Sequence, residues 1–148
     1  MLAVGTKAPD FTVSAHDGTS VSLRSLLGKR VVLYFYPKAD TPGCTKQGCG
    51  FRDRIRDFEA KDIVVLGTSF DTAKDNLAFA NKFTFPFRLL CDTDRKLAVA
   101  YGAAASTKDA YPRRITYVIG KGGAIEQAID TKDPGAQAAA ILAIVEDG

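Results

Sequence analysis

Residues 31–49 read VVLYFYPKADTPGCTKQGC, an apolar run followed by a short loop and two cysteines. The run at 31–36 is continuous, β-branched and aromatic, which is typical of a strand covered on both faces in a parallel α/β sheet. Pro37 ends the run, and a Thr-Pro-Gly sequence leads into a helix that carries Cys44 in its first turn. The stretch therefore predicts a buried strand, a turn and a helix with a cysteine at its start.

Buried strands and amphipathic helices alternate along the rest of the chain. Two short strands with a turn at Asp17-Gly18 come first, and further strands are predicted at 63–69, 87–91, 115–119 and 124–129. The first predicted helix runs from Cys44 through Phe51, Ile55 and Phe58, and the second spans 72–83 with Leu77, Ala80 and Phe83 on its apolar face. Two more helices are predicted at 96–101 and 135–145. This order predicts one domain over residues 1–148 with a thioredoxin-like α/β fold. Its central mixed sheet would be flanked by helices, with an added N-terminal β-hairpin.

The composition narrows the classes of function. A hydrophobic fraction of 46% with 25% charged residues is ordinary for a globular protein. The net charge of +3 is small and its basic residues are scattered, which argues against nucleic-acid binding. The longest apolar run is far shorter than the roughly 20 residues of a membrane span, and the N-terminus lacks the pattern of a signal peptide. We therefore expect no membrane association and a cytoplasmic location.

Three cysteines are an odd number, which in a reducing compartment favours reactive or inert thiols over a permanent framework. In an intact helix the Cα atoms of Cys44 and Cys49 would lie about 8 to 9 Å apart, whereas a disulfide needs roughly 4.4 to 6.8 Å. A bridge between them would require the first helical turns to unwind. Gly48 and Gly50 lower the cost of unwinding, because each destabilises a helix interior by about 1 kcal/mol relative to Ala.

The position of Cys44 favours a reaction site over a metal site. Unpaired N-H groups and the positive end of the helix dipole favour a thiolate over a thiol there. A zinc site of three cysteines and His16 is conceivable by ligand count, but the spacing fits structural zinc patterns poorly. We expect neither metal nor cofactor. His16 is expected at the surface beside its turn, and Cys91 as a small, partly buried residue or as a substitute partner for the reactive thiol.

At these residues the sequence resembles a known family. Pro37, Thr41 and Cys44 match the P-x-x-x-T-x-x-C signature of peroxiredoxins, and TPGCTKQGCGFRD is similar to the TPGCT-x-x-x-C-x-FRD form of the peroxiredoxin Q, or bacterioferritin comigratory protein, subfamily. Further similarity lies in APDF at 8–11, LLCD at 89–92 and R-x-T-Y-V-I at 114–119. The resemblance implies a thioredoxin-like fold and a thiol-dependent peroxidase that reduces hydrogen peroxide and organic hydroperoxides.

The resemblance also implies roles for single residues. Cys44 would be the peroxidatic cysteine, which becomes a sulfenic acid, and Cys49 the resolving cysteine, which traps it as a Cys44-Cys49 disulfide. Thr41 would hydrogen-bond the thiolate and the peroxide, Arg114 would hold the thiolate ionised and polarise the O-O bond, and Pro37 would shield the site from water. A thioredoxin-like donor would reduce the disulfide, and the subfamily favours a monomer.

Several assignments stay open at this stage. The N-H of Gly43 is a candidate donor to developing charge. Gln47 either orients Arg114 or faces solvent, Cys49 is otherwise a helix cysteine without a role, and Arg113 is the neighbour that could take the place of Arg114. Strand alternation and the R-x-T pattern favour Arg114.

Two other classes of function remain as alternatives. The first is a thiol-disulfide oxidoreductase on the same fold, which would be expected to carry Cys-x-x-Cys; this chain has Cys-x4-Cys and no tryptophan. The second is a redox-controlled binding module, in which the oxidised helix exposes a surface to a partner.

Overall fold

The computed structural model describes residues 1–145, which form seven strands, five α-helices and two short 3-10 turns. In chain order these are β1 (Thr12–Ser14), β2 (Ser20–Ser22), a 3-10 turn (Arg24–Leu26), β3 (Arg30–Phe35), α1 (Pro42–Asp53), α2 (Ile55–Ala60), β4 (Ile63–Ser69), α3 (Ala73–Phe83), β5 (Arg88–Cys91), α4 (Lys96–Ala100), β6 (Ile115–Ile119), β7 (Ile125–Asp130), a second 3-10 turn (Pro134–Ala136) and α5 (Gln137–Ile144).

Five of the strands form one mixed sheet in the order β5-β4-β3-β6-β7. The neighbours β3, β4 and β5 run parallel, while β6 pairs antiparallel with both β3 and β7. Strands β1 and β2 form a separate antiparallel hairpin. The predicted thioredoxin-like fold is confirmed, including the N-terminal hairpin and the central position of β3.

Side chains of β3 alternate between two hydrophobic cores, one on each face of the sheet. Leu33 and Phe35 belong to the core that also contains Tyr101 and Tyr117. Val32, Tyr34 and Tyr36 belong to the opposite core, beneath helices α1, α3 and α5, where the ring of Tyr34 stacks on Phe51 with centroids 4.8 Å apart. Each fully buried ring stabilises the fold by about 1.5 to 3 kcal/mol. The continuous apolar run thus arises because both faces of β3 are covered.

The helix that follows β3 differs from the prediction in one respect. It begins at Pro42 and is interrupted at Arg54, whose backbone leaves the helical range at φ −116° and ψ 13°. Helix α2 buries its apolar side next to that of α1. Phe51 and Phe58 are both completely buried, and their ring centroids lie 5.6 Å apart. The break was not predicted because the apolar spacing runs through it unchanged.

The predicted buried face of α3 was wrong at Leu77. This side chain is 42% exposed, and its neighbour Asn76 is completely buried instead. Asn76 is satisfied there: Tyr36 donates its phenol hydrogen to Asn76 Oδ1 at 2.5 Å, and Asn76 Nδ2 donates to Ser69 Oγ at 3.2 Å. A buried amide with both ends hydrogen-bonded is stable in a core. Thr72 is the N-cap of α3 and accepts from Asp75 N.

His16 is also placed differently from the expectation of a surface residue. Its side chain is half-buried, and Nδ1 accepts a hydrogen bond from the backbone N-H of Leu89 at 3.0 Å. The backbone N-H of His16 donates to the Leu89 carbonyl at 2.9 Å. The histidine therefore ties the N-terminal hairpin to the outer strand β5. No helix in the described part of the chain is long and apolar enough to cross a membrane.

Gly48 has a packing role as well as a conformational one. A Cβ built on Gly48 would lie 2.5 Å from Cζ of Phe85. The ring of Phe85 is held by Phe79, Phe83 and Phe87, whose ring centroids lie at 4.9, 5.9 and 5.2 Å. A side chain at this position of the wound helix would therefore displace the ring of Phe85.

We expect Gly48→Ala to lower the free energy of unfolding of the reduced protein by about 1 kcal/mol. Alanine adds about 1 kcal/mol of helix propensity, but forcing a methyl group into a filled core costs about 1 to 3 kcal/mol. Urea unfolding under reducing conditions measures the balance. Gly122→Ala is the matched control, because nothing lies within 4 Å of its Cβ position. A Gly48→Ala protein more stable than wild type would show that the ring of Phe85 moves aside freely.

Candidate active site

The start of α1 forms the centre of the site. Thr41 is the N-cap with an extended backbone, Pro42 is the first helical residue, and no side chain caps the helix. The N-H groups of Gly43 and Cys44 therefore lack an intrahelical acceptor. Cys44 lies in this first turn with only 1% of its surface exposed. A thiolate there would be stabilised by the positive end of the helix dipole and shielded from bulk water.

The loop between β3 and α1 is held from three sides. Its backbone N-H at Ala39 donates to Asp71 Oδ2 at 2.8 Å, and the Lys82 ammonium contacts Asp40 Oδ2 at 2.9 Å. Asp40 adopts a positive φ of 60°, a conformation that aspartate tolerates better than most residues. Tyr36 N donates to the Thr68 carbonyl at 2.9 Å. These contacts fix the loop that positions Thr41 and Cys44 at the start of α1.

Arg114 lies directly against the buried thiol. Its Nη2 is 3.3 Å from Cys44 Sγ, and its Nη1 donates to Gln47 Oε1 at 2.7 Å. A Cβ built on Gly43 would lie 3.1 Å from Arg114 Nη2, so the glycine leaves room for the guanidinium at the helix start. The neighbour Arg113 is exposed. Of the two arginines that the sequence left as candidates, the structure brings Arg114 to Cys44.

Gln47 is completely buried, so its solvent-facing alternative was wrong. While its oxygen accepts from Arg114, its Nε2 donates to Gln137 Oε1 at 2.6 Å. Gln137 also accepts from Thr116 Oγ1 at 2.8 Å and donates through Nε2 to Thr131 Oγ1 at 2.7 Å. Sequence reasoning missed Gln137 and Thr131. The available signal was that Gln137 is the single polar residue in the helix QAAAILAI.

The hydroxyl of Thr41 is engaged differently from the expectation. It donates its hydrogen to the carbonyl of Lys38, in the loop before α1, at 2.8 Å. With its hydrogen committed, Thr41 Oγ1 offers lone pairs to an incoming group rather than a hydrogen to the thiolate. Pro37 lies half-buried at the start of the same loop.

Cys49 lies in the same intact helix as Cys44 and is half-buried. All three cysteines are free thiols. Because α1 is continuous from Pro42 to Asp53, the Cα atoms of Cys44 and Cys49 are expected to lie about 8 to 9 Å apart. The structure therefore keeps the two sulfurs from bridging while α1 is wound.

Cys91 lies apart from this pair, at the end of the outer strand β5. Its sulfur accepts from Asn76 Nδ2 at 3.5 Å, and burial raises the pKa of the Cys91 thiol. Strand β5 is three positions from β6 in the sheet, about 14 Å across at the usual strand spacing. Cys91 is thus not brought to Arg114. Among residues 1–145, no group of three or more His, Cys, Asp or Glu side chains could hold a metal ion.

A buried phenol lies beneath the helix. The hydroxyl of Tyr34 has no hydrogen-bond partner in the described structure. Burial raises the pKa of Tyr34 well above its usual range, and the nearby Cys44 and Cys49 raise it further. Tyr34 therefore stays neutral, and its ring stacks on Phe51 of the helix that carries both cysteines.

Comparison with known proteins gives a consistent result. The AhpC/TSA family model matches residues 4–128. The chain is 42% identical over 125 residues to the chloroplastic peroxiredoxin Q of Triticum aestivum, a match that covers 84% of this chain and 58% of the relative. It is 48% identical over 101 residues to a putative peroxiredoxin bcp of Coxiella burnetii, which covers 68% and 67%. The chain thus spans between half and two thirds of the length of these curated relatives.

Solved structures of similar proteins share the fold over almost the whole chain. The peroxidoxin BcpB of Mycobacterium tuberculosis superposes with a TM-score of 0.89 at 30% identity, covering 99% of this chain and 100% of the other. The bacterioferritin comigratory protein of Xanthomonas campestris, studied for its alkyl peroxide reduction activity, gives a TM-score of 0.84 at 30% identity, covering 90% and 88%. The chain therefore belongs to the AhpC/TSA family, within its peroxiredoxin Q, or bacterioferritin comigratory protein, branch.

Proposed function

We propose that this chain is a thiol-dependent peroxidase that reduces hydrogen peroxide and small organic hydroperoxides at Cys44. The observation that carries the proposal is the contact of 3.3 Å between Arg114 Nη2 and Cys44 Sγ at an uncapped helix start. A cation beside a buried sulfur at the start of a helix stabilises the thiolate, the nucleophilic form of cysteine. The related X. campestris protein is one for which alkyl peroxide reduction has been studied.

In the proposed reaction, the thiolate of Cys44 attacks one peroxide oxygen and the O-O bond breaks. The sulfur becomes a sulfenic acid, and the second oxygen leaves as water or an alcohol after it takes up a proton. Negative charge builds on the leaving oxygen in the transition state. The guanidinium of Arg114, 3.3 Å from the sulfur, and the N-H groups of Gly43 and Cys44 at the uncapped helix start would stabilise that charge.

Thr41 and Pro37 complete the proposed peroxide site. Because the Thr41 hydroxyl donates to the Lys38 carbonyl, its oxygen is free to accept a hydrogen bond from the O-H of a bound peroxide. This orients the peroxide with its far oxygen toward the donors. Pro37 covers the entrance of the loop and limits access of water. The role of Thr41 differs from the one implied by the resemblance, because its hydroxyl donates to Lys38 and not to the thiolate, whereas the role of Pro37 is unchanged.

We propose that Cys49 resolves the sulfenic acid. Its thiol would attack the oxidised Cys44 sulfur, releasing water and forming a disulfide. The intact α1 keeps the sulfurs apart, so the step requires α1 to unwind over its first turns. Unwinding must break the Gln47 bonds to Arg114 and Gln137 and withdraw Gly48 from the ring of Phe85.

The remaining parts of the cycle are also proposals. A thioredoxin-like dithiol would reduce the Cys44-Cys49 disulfide and return the protein to the wound state. Three free thiols suit a reducing compartment such as the cytoplasm. A monomer is sufficient for the scheme, because the peroxidatic thiol, its arginine and the resolving thiol all come from one chain.

Replacing the two thiols separately tests their roles. We expect Cys44→Ser to abolish peroxide reduction in a thioredoxin-coupled assay. Cys49→Ser should keep fast single-turnover oxidation of Cys44 and lose multiple turnovers, because the sulfenic acid has no partner. Cys91→Ser is the matched control and should turn over like the wild type. Sustained turnover by Cys49→Ser would contradict the resolving role while leaving the peroxidase intact.

The arginine pair provides a second test with its own control. Arg114→Met should slow oxidation of Cys44 by about 10²- to 10³-fold, the usual effect of losing a donor to developing charge. Arg113→Met removes the same charge one residue away and should leave the rate within about twofold, since a surface substitution there touches nothing in the site. Stopped-flow oxidation by hydrogen peroxide measures both rates. Equal losses in the two variants would show that only overall charge matters.

Stoichiometric oxidation tests the bridge. After one equivalent of peroxide, we expect intact mass and peptide mapping to show a Cys44-Cys49 disulfide, and circular dichroism to show less helix than in the reduced protein. A disulfide to Cys91, or a bridged protein with full helix content, would contradict the proposed unwinding of α1. A stable sulfenic acid without a bridge would assign the resolving thiol to another molecule.

A further inference from the structure

A series of hydrogen-bonded polar side chains extends from Gln47, on its side away from the thiol, into the interior. Gln137 is the first residue of α5 and is only 5% exposed. Its Oε1 accepts two hydrogen bonds, from Gln47 Nε2 at 2.6 Å and from Thr116 Oγ1 at 2.8 Å. Its Nε2 donates to Thr131 Oγ1 at 2.7 Å. The amide of Gln137 is thus hydrogen-bonded at both ends.

The direction of these hydrogen bonds is set by Arg114. A guanidinium has only donors, so Gln47 must turn its carbonyl oxygen toward Arg114. The NH2 group of Gln47 then faces the other way and needs an acceptor in a place without water. Gln137 Oε1 is that acceptor. If Gln47 turned over, two sets of donors would face each other in a buried site, which is strongly unfavourable.

We propose that Gln137 is a positioning residue for the reaction at Cys44, acting through Gln47 and Arg114. By holding the NH2 group of Gln47, it keeps Oε1 on Arg114 Nη1 and leaves Nη2 directed at the sulfur. Gln137 does not touch the reacting atoms. The inference rests on the proposed peroxidase function, because positioning has a meaning only if Cys44 reacts.

The backbone around Gln137 is packed closely enough to hold this geometry. The 3-10 turn Pro134–Ala136 lies against α1: a Cβ built on Gly50 would be 3.3 Å from the Gly135 carbonyl oxygen, and one built on Gly43 would be 3.9 Å from Pro134 Cγ. Thr131 N also donates to the Arg114 carbonyl at 3.0 Å. The segment that carries Gln137 therefore contacts both the helix and the arginine strand.

The test uses Gln137→Met, which keeps the length of the side chain and removes both hydrogen-bonding groups. We expect the second-order rate of Cys44 oxidation by hydrogen peroxide to fall about tenfold, the scale expected when one buried positioning hydrogen bond is lost. The ultraviolet absorbance of the thiolate, followed against pH with Cys44→Ser as the blank, should show thiolate forming at higher pH. A purely structural role would lower the melting temperature without moving this absorbance.

Three further variants complete the test. Gln137→Glu keeps acceptor oxygens for Gln47 and Thr116 and should restore most of the rate. Gln127→Met, in strand β7 outside this hydrogen-bonded chain, should behave like the wild type. If Gln137→Met does not fold, Thr131→Val is the deciding variant. It removes the acceptor of the hydrogen bond from Gln137 Nε2 and should slow oxidation of Cys44 about threefold.

The outcomes distinguish the proposed peroxidase function from the positioning role of Gln137. Slow, thiol-like oxidation of the wild type would contradict the proposed peroxidase function itself. A fast wild type with an unchanged rate and thiolate absorbance in Gln137→Met, or with equal losses in Gln137→Met and Gln127→Met, would overturn the positioning role alone. A wild-type rate in Thr131→Val would overturn it where Gln137→Met is not folded.

Discussion

The guanidinium of Arg114 sets the arrangement of everything around it, because it brings several donors and no acceptor into a site that excludes water. One donor lies on Cys44 Sγ and another on Gln47 Oε1. These two partners belong to α1, and Arg114 itself precedes β6. Gln137, which accepts a hydrogen bond from Gln47, is the first residue of α5. Three segments that are distant in sequence must therefore assemble before the charge is satisfied, so the contact between Arg114 and Cys44 forms only when the fold is complete.

The sheet provides the rigid part of this assembly. Strand β3 is central, it pairs with β4 on one side and β6 on the other, and Tyr34 lies opposite both Gly67 and Thr116. This pairing sets the distance between the helix that follows β3 and the arginine that precedes β6. Rings of Tyr34 and Phe51 fill the space below α1. Because interiors are close-packed, the position of the thiol is determined to within small displacements.

The elements were predicted from local patterns in the sequence, and the candidate site residues from its resemblance to a known family. Apolar runs marked the strands, and the R-x-T spacing selected Arg114. The Gln47 to Gln137 bond left no such pattern, since its partners are 90 positions apart. The break at Arg54 and the burial of Asn76 in place of Leu77 were also missed. Apolar periodicity indicates which residues could be buried, whereas hydrogen bonds determine which polar residues are buried.

The close packing of Phe85 against Gly48 determines how the stability of α1 is expected to change with temperature. Helix propensity strengthens on cooling, because backbone hydrogen bonding is enthalpic. Burial of an aromatic ring against the helix weakens on cooling, because hydrophobic stabilisation near room temperature is entropic. With three glycines in α1, packing carries more of its stability than propensity does. In the proposed unwinding, the wound and unwound forms of α1 would therefore approach each other in free energy in the cold, where an alanine-rich helix would become more rigid.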